Sequence, residues 1–146
     1  MNDTRFVVLK FGGTSVSSLA NWRSIASIVR RCLSAGEAPV VVHSALSGVT
    51  DRLERLLAAA LEGSHASVIE EVRARHVALA AELGVALPPG LERHVADLGK
   101  IASGIALVGE VSDRVRARVM AAGELMATEL GAAYRDKDGR PLLSWR

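Results

Sequence analysis

Two short, β-branched apolar runs separated by one amphipathic helix leave this chain few ways to begin folding. Arg5–Lys10 reads RFVVLK and Ala38–Val42 reads APVVV. Each run is brief, valine-rich and followed by turn residues, the pattern of a buried strand. Between them, from Ser18 to Leu33, the residues Leu19, Trp22, Ile25, Ala26, Ile28, Val29, Cys32 and Leu33 recur at helical spacing. Ser17 or Ser18 can cap the start of that helix, and Gly36 can stop the chain just past its end. Strand, helix and strand in this order predict a βαβ unit, with parallel pairing and a right-handed crossover.

After the second strand, His43–Val49 reads as a loop, and Thr50 or Asp51 begins another helix with Glu54 as a capping-box partner. Ser64 to Arg135 reads as almost wholly helical, divided at Gly84 and at Pro88-Pro89-Gly90, with a fresh start at Ser112-Asp113. Asp136–Pro141 (DKDGRP) predicts a turn, and Pro141–Trp145 (PLLSW) a strand. The predicted class is therefore α/β: a parallel βαβ start followed by a largely helical segment. The 146 residues suit one domain. With aromatics at only 3%, its core must come from Leu, Val, Ile and Ala.

Charge and cysteine content narrow the partners. A net charge of +2, with basic residues spread along the chain, argues against nucleic acid but leaves room for a local phosphate site. No apolar run reaches the roughly 18 residues of a membrane span, and no signal peptide opens the chain. The single cysteine, Cys32, forbids an internal disulfide and is expected to be a buried structural thiol in a cytoplasmic protein.

Three segments could carry chemistry. Lys10-Phe11-Gly12-Gly13-Thr14-Ser15 follows the first strand, where open α/β sheets bind ligands. Two glycines let the backbone approach an anion and adopt positive φ. Exposed N–H groups, the dipole of the next helix, the Lys10 amine and the Thr14 and Ser15 hydroxyls all favour phosphate. The motif is neither a Walker A loop nor a dinucleotide fingerprint, and Gly-Gly after a strand is also an ordinary tight turn. The second segment, Ser44–Asp51, should lie on the same edge and suits a carboxylate, although taken alone plain helix capping by Thr50 and Asp51 is the better account of it. In the third, Gly123 interrupts a strong helical stretch at a cost of about 1 kcal/mol against alanine, which calls for a packing or functional reason. Glu124 beside it could accept hydrogen bonds from a substrate ammonium, or be a solvated helix residue.

Taken together, VVLKFGGTSV at Val7–Val16, VVVHSALSGVTD at Val40–Asp51 and GELMATELGAAY at Gly123–Tyr134 resemble the aspartokinase family, within the amino-acid kinase fold. The resemblance implies a phosphotransferase making 4-phospho-L-aspartate from ATP and L-aspartate, with Mg²⁺, at the head of the lysine, threonine and methionine pathway. It implies that Lys10, Gly12, Gly13 and Thr14 hold ATP, with Lys10 offsetting charge on the transferred phosphoryl group. Ser15, Ser44, Thr50 and Glu124 would hold aspartate, with Glu124 on its α-ammonium. No residue is assigned to a metal. The three segments are expected to meet around one cavity.

The family pattern also implies that residues 1–146 are the N-terminal portion of a catalytic domain. Its C-terminal half, with an arginine, an aspartate and most adenine contacts, and its ACT domains would lie outside this chain. The fragment alone is then expected to be inactive, and the complete protein to be a homo-oligomer. His43 departs from the apolar residue commoner at its position. The RVRARVMAAGEL stretch is similar to aspartokinases fused to a diaminopimelate decarboxylase. Two rivals remain. One is a related kinase acting on glutamate, carbamate or a nucleoside monophosphate. The other is a non-catalytic module that self-associates through an unfinished sheet edge and uncovered apolar faces.

Overall fold

The computed structural model describes residues 5–137. It begins as the sequence predicts: β1 (Phe6–Phe11), α1 (Leu19–Ser34) and β2 (Ala38–His43), with the two strands paired in parallel from Phe6 opposite Ala38 to Phe11 opposite His43. Among the described residues four further helices follow as α2 (Val49–Leu61), α3 (Ala66–Leu83), α4 (Pro89–Val108) and α5 (Asp113–Lys137); the expected breaks at Gly84 and Ser112 are present, but Pro89 and Gly90, expected in a dividing turn, form the first turn of α4, where proline at the first helical position costs no hydrogen bond. Gly84 ends α3 in the left-handed conformation at φ 65°, and the Ser112 hydroxyl accepts from the Val115 N–H at 3.3 Å to start α5.

The architecture is thus α/β, a parallel βαβ start leading into helices. Alternation sorts the sheet into two faces. Val7, Leu9, Phe11, Val41 and His43 are half-buried, on the side where α1 and α5 pack against β2. Phe6, Val8, Val40 and Val42 are exposed, Phe6 by 71% and Val8 by 68%. Lys10 belongs to this open row. The core lies among the helices, from Trp22, Ile25 and Val29 of α1 to Leu53 and Leu56 of α2, Leu79, Leu98, Met126 and Leu130. Arginine–carboxylate pairs tie the helix surfaces together: Arg55–Glu71 between α2 and α3, Arg73–Glu92 between α3 and α4, and Arg116–Glu54 between α5 and α2.

Several expectations need correction. Cys32 is only half-buried, because it sits at the margin of the α1 stripe rather than in its centre. Gly123 does not interrupt a helix: α5 runs unbroken through it. Asp136 and Lys137 belong to the last turn of α5 rather than to a turn. The rest of the DKDGRP turn and the PLLSW strand lie outside the described residues.

Candidate functional site

The first strand-to-helix turn is closed by the protein itself. After Phe11 the chain passes Gly12 and Gly13 into a single 3-10 turn at Thr14–Val16, and only then reaches α1. Neither glycine adopts positive φ, contrary to expectation; Gly13 has φ −57° and ψ −40°, ordinary right-handed values. Glycine is needed at 13 for another reason. A Cβ there would stand 2.7 Å from the Ala45 carbonyl oxygen, on the neighbouring loop. Gly12 is the opposite case: it is exposed, and nothing lies within 4 Å of a Cβ built on it. Gly12 is therefore where a ligand can come close to the backbone. The N-terminus of α1, expected to favour phosphate, is already answered. Ser18 Oγ accepts from the Asn21 N–H, and the Glu82 carboxylate accepts from the Leu19 N–H at 2.9 Å.

The second turn is built differently. The Ser44 N–H donates to the Phe11 carbonyl at 3.2 Å, which extends the strand pairing by one step. Ala45 and Leu46 are buried, and the Ser47 N–H donates to Ser17 Oγ at 2.8 Å, which in turn donates to the Gly13 carbonyl at 2.5 Å. Ser17 thus bridges the two turns. Gly48, at φ 77°, is the N-cap of α2, and no side chain caps the helix. The predicted capping box is absent. Thr50 and Asp51 lie inside the first turn, two and three residues past the cap, and Glu54 pairs with Arg116 instead. The negative Asp51 still complements the helix dipole.

The third segment reaches the second through missing side chains. A Cβ on Gly123 would meet Ala45 Cβ at 3.0 Å, Leu53 Cδ1 at 3.0 Å and Val49 Cγ1 at 3.2 Å. Gly123, Ala127 and Gly131 recur every four residues and form a stripe of small residues on one face of α5. At Gly131 a Cβ would lie 2.5 Å from Trp22 Cη2 and 3.3 Å from His43 Nε2. The helix can therefore press against the second loop and the end of β2.

Ala45 consequently touches both the first loop, through Gly13, and α5, through Gly123. Lys10, Gly12, Thr14, Thr50 and Glu124 are exposed, and Gly13, Ser15 and Ser44 are half-buried. Lys10 stands in the open row of the sheet, on the face opposite His43, which meets α5. A 310 Å³ and a 580 Å³ cavity lie near Gly84 and Lys137, and one of 160 Å³ lies between α4 and α5; Lys10, Ser44 and Glu124 line none of them.

Beneath the junction the Trp22 indole donates to the Val16 carbonyl at 2.9 Å and meets the His43 ring edgewise at 5.6 Å and 86°. Burial pushes the His43 imidazole below its ordinary value; its contact with the Ser44 carbonyl and the Glu124 charge pull it back in part. Ser17, Ala45 and Trp22 are the residues that sequence reasoning did not assign to the site. The small residue between Ser44 and Leu46 and the i, i+4, i+8 stripe on α5 were the available signals.

Comparison with known proteins identifies the family. Residues 5–141 match the amino acid kinase family. The chain is 33% identical over 137 residues to aspartokinase 2, chloroplastic, of Arabidopsis thaliana, and 34% identical over 133 residues to an aspartokinase of Chlamydia trachomatis. Each alignment covers 90% of this chain, but only 25% and 28% of those proteins. The chain therefore spans about a quarter of the length of the relatives it matches. Its fold superimposes on Escherichia coli aspartokinase III in complex with aspartate and ADP, with a TM-score of 0.73 at 28% identity, over 92% of this chain and 29% of that one. On the convergence of its three segments and these matches, the chain belongs to the amino acid kinase family.

Proposed function

We propose that this chain is the N-terminal portion of the catalytic domain of an aspartokinase, which transfers the γ-phosphoryl group of ATP to the side-chain carboxylate of L-aspartate. The observation that carries the reading is the convergence on Ala45 of the Gly12–Gly13 turn, the Ser44–Gly48 turn and the Gly123–Glu124 stretch of α5. Aspartokinase relatives and the aspartate and ADP complex of the structural neighbour support it.

In this reading the open space over Gly12 admits the ATP phosphates, with the Gly13 and Thr14 N–H groups facing them and the Thr14 hydroxyl nearby. Lys10, exposed and without a partner among the described residues, supplies the mobile cation that offsets charge on the γ-phosphoryl group. Ser15, Ser44 and Thr50 receive aspartate, whose carboxylate also meets the uncapped N-terminus of α2. Glu124, exposed on α5, accepts the α-ammonium. The aspartate carboxylate oxygen forms a bond to γ-phosphorus as the bond to the β–γ bridging oxygen breaks, and ADP leaves. The nucleophile is already ionised, so positioning and charge stabilisation suffice without a general base. In this reading Mg²⁺ enters with the ATP phosphates.

The apolar open row of Phe6, Val8, Val40 and Val42 supports packing of further polypeptide from the same domain on that face. The complete protein is proposed as a cytoplasmic homo-oligomer in the lysine, threonine and methionine pathway. Among the described residues, no helix is long and apolar enough to cross a membrane.

The test is a substrate panel on the natural full-length polypeptide that carries this sequence. ADP release and trapping of the acyl phosphate with hydroxylamine are followed with aspartate, glutamate, carbamate and a nucleoside monophosphate. The reading expects turnover of aspartate. Turnover of another member with aspartate ignored would overturn it.

A further inference from the structure

Two serines stand at the start of α1, and the helix uses only one of them as its cap. Ser18 Oγ accepts from the Asn21 N–H at 3.3 Å. The Ser17 hydroxyl serves the turns instead. It donates to the Gly13 carbonyl at 2.5 Å, four residues back, and accepts from the Ser47 N–H at 2.8 Å, thirty residues on. The first bond is local, but the second crosses from the first strand-to-helix turn to the second. α3 holds the same residue by its backbone, with Arg75 Nη2 donating to the Ser17 carbonyl at 3.1 Å.

We propose that Ser17 is a positioning residue for phosphoryl transfer, its hydroxyl setting the separation between the turn that takes the ATP phosphates and the turn that takes the acceptor carboxylate. The ligands named here rest on the aspartokinase reading; the bridge between the turns does not. Two contacts act in opposite directions on that separation. Gly13 lies so near the Ala45 carbonyl oxygen that a Cβ would come to 2.7 Å from it, which limits how closely the turns approach. The Ser17 hydroxyl, bonded to both turns, limits how far they part. A hydroxyl carries one proton and two lone pairs, so a single Oγ can donate to one turn and accept from the other. Alanine can do neither, and threonine can do both. Transfer requires the attacking oxygen and the γ-phosphorus to be held close and in line, and a misplacement of about 1 Å can cost roughly 100-fold in rate.

The same hydroxyl also helps to dispose of oxygens that would repel an anion. The Gly13 carbonyl accepts from the Val16 N–H at 3.3 Å as well as from Ser17 Oγ. The Thr14 carbonyl accepts from the Ser17 N–H at 3.3 Å and from Asn21 Nδ2 at 2.9 Å. Both carbonyls of the turn are thus occupied by donors that follow them in the chain. Ser17 differs from Ser15 and Ser44 in that it binds the turns and not a substrate.

The test compares Ser17→Ala and Ser17→Thr in the natural full-length polypeptide by two measurements. Ser17 is half-buried, and the alanine variant loses a single oxygen, so both variants should fold. In the first measurement no ligand is present, and hydrogen exchange at the Ser47 amide is read by mass spectrometry with fragmentation. Ser17→Ala should speed that exchange roughly threefold to tenfold, and Ser17→Thr should leave it near the parent rate. In the second, steady-state kinetics use whichever member of the substrate panel the protein turns over. Ser17→Ala should lower kcat by roughly 10- to 100-fold with both KM values nearly unchanged, and Ser17→Thr should restore most of it. Unaltered exchange at Ser47 in Ser17→Ala would show that the hydroxyl does not hold the turns together, and the proposal would fall. An unaltered kcat beside fast exchange, or raised KM values with kcat kept, would overturn the positioning role. So would a threonine variant that regains the protection at Ser47 but not the turnover. Each of these failures leaves turnover of aspartate by the parent protein untouched. A parent that turns over another panel member instead sinks the aspartate reading, and Ser17 is then judged on that substrate.

Discussion

The two strand-to-helix turns of this chain look alike in sequence and differ in what meets the helix that follows. The first is closed: Ser18 and Glu82 take the leading N–H groups of α1, and Gly13 is pressed against Ala45. The second is built otherwise: Gly48 caps α2 by conformation alone, no side chain accepts from its leading N–H groups, and the Arg52 guanidinium folds back to donate to the Gly48 carbonyl at 2.8 Å. A glycine-rich loop and a helix N-terminus are therefore not enough to identify an anion site, because the protein can spend them on itself. Of the two glycines in the first turn, Gly12 and not Gly13 keeps open space above the backbone.

The comparison breaks most severely if the two turns are cut from their common support. Trp22→Ala removes a buried indole that holds Val16 and packs on His43 and Gly131, and should cost about 3–5 kcal/mol in urea unfolding. A loss under 1 kcal/mol would mean the turns stand without it. Next, Gly13→Ala forces a methyl group against the Ala45 carbonyl and should cost about 1–3 kcal/mol, while Gly12→Ala should change stability by no more than about 0.5 kcal/mol. Equal effects would erase the distinction between a packing glycine and an approach glycine.

Acid should weaken the chain through two histidines. Burial lowers the proton affinity of both His43 and His76; at His76 the bond to Val72 opposes the shift and Arg75 adds to it. The unfolded chain then binds protons that the folded chain resists. The stability tied to the neutral rings is complete above the ordinary value of 6.5 and is lost as pH falls from there to the folded values. The slope should reach about 1.4 kcal/mol per pH unit for each histidine, and His43→Gln should remove its share. A flat profile between pH 7 and 5 would contradict the burial argument. The smallest effect separates the caps: Ser18→Ala should cost about 1 kcal/mol, and Thr50→Ala should stay within about 0.5 kcal/mol, because Thr50 lies past the cap of α2.

The βαβ start, the helix boundaries at Gly84 and Ser112 and the three candidate segments were legible because valine runs, helical periodicity and turn residues are local signals. What was not legible depended on contacts distant in sequence. Glu82 reaches the start of α1 from 63 residues away, and Glu54 is drawn to Arg116 rather than to its own helix cap. Gly123 advertises a helix break by its intrinsic propensity, yet α5 continues because the missing side chain is what lets it meet Ala45. The positive φ expected of Gly12 and Gly13 belongs instead to glycines that end or begin helices, such as Gly84 and Gly48.

The proposed function requires a turn that takes phosphate and a glutamate that takes an ammonium group to meet at one place, and kinetics on the natural full-length protein measure that most directly. Glu124→Gln should raise the KM for aspartate by roughly 10- to 100-fold with the KM for ATP nearly unchanged, whereas Lys10→Ala should act mainly on kcat. If aspartate were phosphorylated with unaltered constants in both variants, Glu124 and Lys10 would not share a site, and the proposal would fail.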